Sequence, residues 1–165
     1  MTTHPDIAAA KSIFCSCVSK PCQTDWNSIK KRMRYIKDTK GLSLKLSAVR
    51  DLNLKGYVDS DWVGDLNTCK STSGYLFKLE NSSISWSSKK QISMMLSSTE
   101  AEYISFPYAS YKAIWLRQLH EDLGEPVSQP MVLYEDNQRY IKLATSQKIN
   151  ARTDHIDVRH HCIHD

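Results

Sequence analysis

The sequence predicts an α/β domain on a mixed sheet, with three antiparallel strands, a fourth strand parallel to the first, flanking helices and a helical N-terminal extension. Three observations lead there. The stretches LNLKGYVD, GYLFKLE and SISWSSK are strand-like, and the short connections DLNTCKSTS and Asn81-Ser82 suit an antiparallel meander. The apolar period then turns helical from about Thr99 to Leu123. MVLY, apolar on both faces, follows that helix directly, as a buried central strand does when a right-handed crossover lays it parallel to an earlier one.

In chain order, Ile7, Ala10, Phe14 and Cys17 share one helical face between Pro5 and Val18, and Pro21 stops that helix. A second helix is expected from an Asp25 N-cap, with Trp26, Ile29, Met33 and Ile36 in register and Gly41 ending it. Its other face is basic, with Lys30, Lys31, Arg32, Arg34, Lys37 and Lys40 crowded together. A boundary near Ser47–Leu52 then divides a helical unit, residues 1–50, from a mixed-sheet domain, residues 51–165. In the long helix Ile104, Tyr108, Tyr111 and Trp115 fall on one face, and Gly124 and Pro126 close the segment. Pro107 removes a backbone hydrogen bond there and favours a kink. A last helix is expected from about Asn137 to Ala144, followed by the polar tail ARTDHIDVRHHCIHD.

A length of 165 residues with 41% hydrophobic content fits one domain, or one domain plus a short piece of another. No run approaches the roughly 18 apolar residues of a membrane span, and MTTHPDIAAAK has no long apolar core of a secretory signal. No membrane association is therefore expected. The net charge of +4 is concentrated in the basic helix, which suits a polyanionic partner or a solvated face equally well. Five cysteines without a C-x-x-C pair are expected to be free thiols in a reducing compartment, since their spacing fits no common zinc module.

Asp59 in GYVDSDW, Glu102 in SSTEAEY and Asp136 in VLYEDNQ each stand where an apolar or ordered segment stops. With the first strand and MVLY as neighbours, Asp59 and Asp136 meet at adjacent strand positions, and a helix over the sheet lowers Glu102 between them. Like charges so close raise one another's pKa unless divalent cations neutralise them. Oxygen-only ligation suits Mg²⁺ or Mn²⁺ rather than zinc, and two such ions about 4 Å apart serve in-line attack of water on a phosphodiester. Each carboxylate also has a structural alternative that the residues alone leave open. Asp59 could end a strand beside Asp61 and Asp65; Glu102 could close a capping box from Thr99; Asp136 could cap the helix at Asn137. Lys30, Lys31, Arg34, Lys89 and Lys90 are candidate phosphate contacts, with Trp62 and Trp86 as stacking surfaces.

The stretch GYVDSDWVGDLNTCKSTSGYLFKLENSSISWSSKKQ, followed by LSSTEAEYIS, AIWLRQL, LYEDNQ and ARTDHIDVRHH, closely resembles the ribonuclease H region of copia-type LTR retrotransposon Pol polyproteins, over most of residues 54–161. D-S-D-W-x-G-D, K-S-T-S-G-Y, S-W-S-S-K-K-Q and S-S-T-E-A-E-Y in this order are far more diagnostic than any one motif. Upstream, HPDIAAAKSIF and DWNSIKKRMRYIKDTKG are similar to the end of the family's reverse transcriptase and its connection. The resemblance implies a ribonuclease H-like fold and hydrolysis of the RNA strand of RNA–DNA hybrids during reverse transcription. It implies metal ligands at Asp59, Glu102 and Asp136, with Asp61 and Glu100 as the replacements if the register is off by two.

Two Mg²⁺ or Mn²⁺ ions are the implied cofactors. An RNA–DNA hybrid and the rest of Pol, reverse transcriptase and integrase, are the implied partners. The implied location is cytoplasmic, in a virus-like particle of an intact element, with the nucleus as the alternative. The family's fifth strand and fourth carboxylate are expected beyond Asp165. A C-terminally truncated, catalytically inactive remnant, binding at most nucleic acid or a partner, is therefore the competing expectation. An integrase-like nuclease is disfavoured because its glutamate comes last of the three, whereas Glu102 stands between the aspartates.

Overall fold

The structure, a computed structural model, describes residues 4–18, 20–46, 53–65, 69–125 and 129–145. The expected boundary at Ser47–Leu52, Pro126 and the histidine-bearing tail lie outside the described residues.

A 3₁₀ turn, Pro5–Ile7, opens into α1 (Ala8–Cys17), and α2 spans Gln23–Asp38. Cys22, not Asp25, is the N-cap of α2. Its backbone N–H donates to the Asp25 carboxylate at 2.9 Å, which puts Asp25 in the first turn, where a negative charge complements the exposed amides. Ile7 and Ala10 are buried, and α1 packs against the third strand. No residue of α2 is buried, and Trp26, Met33 and Ile36 stay exposed. The Tyr35 hydroxyl donates to the Asp6 carboxylate at 2.9 Å, tying α2 to the opening turn.

The sheet contains β1 (Leu54–Asp65), β2 (Lys70–Leu79), β3 (Ser82–Met94) and β4 (Val132–Tyr134) in the order β3-β2-β1-β4. The first three strands are antiparallel and β4 runs parallel to β1, so the expected ribonuclease H-like mixed sheet is the architecture found. The first three strands extend further than apolar alternation indicated. Polar stretches such as Ser60-Asp61 and Thr72-Ser73 pair across β1 and β2, so the ladder continues on backbone hydrogen bonds where side chains give no apolar signal. Asp59 consequently lies within β1 rather than at its end. Between Asp61 and Asp65 the register shifts, and Val63 sits at φ 54°, a left-handed conformation that is unfavourable for a β-branched residue.

The core forms where Leu54 and Val58 of β1 and Phe77 of β2 meet α3 (Ser98–Asp122) at Ala109, Ala113 and Leu116. Close approach is required at Gly56, where an added Cβ would collide with Leu133 and Phe77. The helix runs without interruption through Pro107, and the face that packs on the sheet is not the one that carries the apolar stripe. Ala101, Glu102, Tyr103, Ser105, Ala109, Ala113 and Leu116 are buried, whereas Tyr108, Tyr111 and Trp115 are exposed. Small side chains let α3 sit close to the sheet, and the aromatic stripe faces outward.

The expectation of a buried central strand at MVLY is corrected at β4. It is an edge strand among the described residues, with Val132 and Tyr134 exposed and Leu133 alone of its three residues packed on the core. The Tyr134 ring stacks on Tyr57 at 5.1 Å. The last described helix, α4 (Gln138–Thr145), buries Tyr140 against Phe106 and Tyr103. No helix among the described residues is long and apolar enough to cross a membrane.

Candidate metal centre

Parallel register brings the two aspartates together. Tyr57 pairs with Tyr134, and Asp59 and Asp136 each lie two residues further along, where period-two alternation returns to the same face. Gly74 is the partner of Asp59 on β2, so no side chain crowds it from that strand. The first turns of α3 bring Glu102 in from the other side, and one carboxylate oxygen from each of the three lies within 4.8 Å of the others.

Neighbouring residues perform the structural roles that these acids could have filled. The N-cap of α3 is Ser97, whose Oγ accepts from the Glu100 amide at 3.2 Å, while the Glu100 carboxylate accepts from Leu96 N–H at 2.9 Å. Thr99 is therefore not the cap, and Glu102 is free of that duty. At α4, Asn137 Oδ1 accepts from the Arg139 and Tyr140 amides, both at 3.1 Å, so Asp136 is free as well. The Asp61 carboxylate folds over Gly64. Neither Asp61 nor Glu100 joins the group of three.

Sequence relatives decide what kind of chain carries this geometry. It is 40% identical over 161 residues, 98% of its length, to the retrovirus-related Pol polyprotein from transposon TNT 1-94 of Nicotiana tabacum, of which it covers 12%. It is 36% identical over 161 residues, again 98% of its length, to the retrovirus-related Pol polyprotein from transposon RE2 of Arabidopsis thaliana, of which it covers 11%. Its homologues thus include copia-type retrotransposon Pol polyproteins that match nearly the whole chain, while the chain spans only about an eighth of their length. The chain is also 43% identical over 116 residues to the secreted RxLR effector protein 161 of Plasmopara viticola, spanning 70% of the chain and 82% of that relative. No protein-family model and no solved structure matches it.

Among the described residues the cluster is one of carboxylates without counter-charge. Glu102 is 3% exposed; its Oε1 accepts from the Ser60 amide at 3.1 Å, and its Oε2 has no hydrogen-bond partner. Burial pushes its pKa up to about 7, with Ser60 opposing the shift and Glu135 and Asp59 adding to it. Burial and the neighbouring Asp136 likewise raise Asp59. Among the described residues no lysine or arginine pairs with any of the three. A buried glutamate with an orphaned oxygen, in a group with two further carboxylates, fits a hard divalent cation.

Glu135 was not singled out by sequence. Its Oε1 accepts from the Asn137 amide at 3.0 Å, its Oε2 is buried without a partner, and burial raises its pKa, as do Asp136 and Asp59. The adjacent acids in Y-E-D-N were the available signal; both follow the end of β4 at Tyr134, and Glu135 acts on Glu102 electrostatically without joining the group of three. The basic candidates do not join the carboxylates. Lys30, Lys31 and Arg34 lie on α2, with Lys30 over Trp26 at 5.2 Å. Lys89 and Lys90 lie on β3, with Lys89 6.0 Å from the Tyr108 ring centre.

Proposed function

We propose that this Pol-derived module is a ribonuclease H-type endonuclease, in which Asp59, Glu102 and Asp136 hold Mg²⁺ or Mn²⁺ for hydrolysis of the RNA strand of an RNA–DNA hybrid. The observation that carries the reading is the convergence of three carboxylates from separate elements, with a buried Glu102 oxygen left unpartnered and, among the described residues, no basic residue paired with the group. Bound there, divalent ions would activate water and stabilise charge on the phosphodiester.

The chain's own contribution is placement. The Ser60 amide fixes one Glu102 oxygen, while Asp59 and Asp136 are exposed and accessible to a polyanion. Caps at Ser97 and Asn137 anchor the helices beside two of the ligands. Lys30, Lys31 and Arg34 of α2 are the proposed phosphate contacts, which makes hybrid binding salt-dependent.

The test is cleavage of a labelled RNA–DNA hybrid by the purified chain with Mg²⁺ or Mn²⁺, beside Asp59→Asn and Glu102→Gln. Cutting of the RNA strand by the parent alone is expected. Equal cutting by the variants, or none by any protein, overturns the reading. A hybrid bound but uncut would identify a catalytically inactive binding module.

A further inference from the structure

The outward aromatic stripe of α3 is one wall of a groove of about 870 Å³ between α3 and β3. Ile104, Tyr108, Tyr111 and Trp115 line the helix side. Ile92, Met94 and Leu96, 65–86% exposed, line the strand side. A concave apolar surface of this size, open at the exterior, has the character of a docking site.

Its charge limits what can dock. Lys89 and Lys112 line the groove, and Glu100, the acid among the lining residues, has its carboxylate already engaged by the Leu96 amide. The Lys89 ammonium lies over Tyr108, and that of Lys112 lies 3.4 Å from the centre of the Trp115 ring. Among the described residues neither lysine has an ion-pair partner. Burial lowers the Lys112 pKa, a penalty that an incoming anion would relieve.

Three classes of occupant can be compared. A second copy offering its uncovered α2 would bring Lys30, Lys31, Arg32, Arg34 and Lys37 against these lysines, a like-charge approach. A nucleic acid would find two of the rings already covered by ammonium groups and so closed to base stacking, and along Ile92, Met94 and Leu96 an aliphatic wall without a stacking plane. An acidic polypeptide meets both demands, because aliphatic and aromatic side chains fill the groove while carboxylates reach the lysines.

We propose that the α3–β3 groove docks an acidic polypeptide segment, with its apolar side chains seated between Tyr108, Trp115 and Ile92 and its carboxylates on Lys89 and Lys112.

The probe is a fluorescent synthetic peptide of about 15 residues, roughly four helical turns, with Leu and Trp at helical spacing and Asp or Glu elsewhere. Its scrambled version, a version with Lys replacing each acid, and a single-stranded RNA are measured beside it. Anisotropy should show saturable micromolar binding of the acidic peptide alone. Lys89→Glu combined with Lys112→Glu should weaken it by at least about tenfold. Ile92→Glu, at a position 80% exposed and so safe for folding, should weaken it similarly. Circular dichroism confirms that each variant is folded. No binding, equal binding of the scrambled peptide, indifference to these substitutions, or RNA competing through the same residues overturns the proposal. So does concentration-dependent dimerisation that Ile92→Glu abolishes.

Discussion

The face of α3 that meets the sheet carries Ala101, Glu102, Ser105, Ala109 and Ala113, whereas the face turned away carries Tyr108, Tyr111, Ile114 and Trp115. On the inner side, size is the constraint. Small residues let the helix approach, and a polar cluster holds it in place: Gln91 Nε2 donates to Ser73 Oγ at 2.8 Å and to the Ala101 carbonyl at 2.9 Å, and Ser105 Oγ donates to Ser73 Oγ at 2.9 Å. These bonds set the position of the turn that presents Glu102. On the outer side the large side chains remain in solvent around the groove. The difference teaches that bulk in a helical stripe marks a surface for a partner as readily as a core, and that the catalytic candidate belongs to the polar, tightly seated side.

The largest effect that would break this comparison is on cleavage. Glu102→Gln should lower hybrid cleavage by roughly 100-fold or more through loss of a metal-binding oxygen, while Tyr111→Ala on the outer face should leave it near the parent rate. Comparable losses in both would show that the faces are not functionally distinct.

Stability should divide in the same way. Ala109 is fully buried, so Ala109→Leu forces α3 off the sheet and should destabilise by about 1–3 kcal/mol in urea unfolding. Tyr108→Ala, at a residue 52% exposed, should remain within about 0.5 kcal/mol. A large loss at Tyr108 would mean that the stripe is core after all.

Much of the architecture was legible because strands and turns carry local signals: the meander, the crossover and the parallel β4 all followed from alternation and connection length. The face of α3 was not, because periodicity finds an apolar stripe without showing which side of the helix the sheet will accept. Alanine and serine give weak hydropathy signals, yet they decide the packing here. The β1 bulge at Val63 was also invisible, since pairing beyond Asp59 depends on backbone hydrogen bonds. For the site, sequence selected the three acids but left each balanced against a cap or turn, and tertiary register was needed to bring them together.

The inner face should also be sensitive to pH. Glu102 has a folded pKa of about 7 against an ordinary value of 4.5, so the folded state holds its proton more tightly than the unfolded chain. The associated stability is fully present below about pH 4.5 and is lost as pH rises through about 7, by on the order of 1–2 kcal/mol. Mg²⁺ selects the ionised form, so it should raise Tm at pH 8 and have little effect at pH 5. Glu102→Gln should flatten both responses; an unchanged profile would show that another group titrates.

The smallest effect separates the capping residue from the ligand beside it. Ser97→Ala removes the acceptor for the Glu100 amide and should destabilise α3 by about 1 kcal/mol, whereas Thr99→Ala should have little effect. Because the cap lies one turn before Glu102, loosening it should also weaken metal-induced stabilisation without removing a ligand. Glu102→Gln, by contrast, should remove that metal response without fraying the helix start. If Thr99→Ala proves the more damaging substitution, the helix begins two residues later and Glu102 returns to the capping role. The three-carboxylate site would then lose its central member.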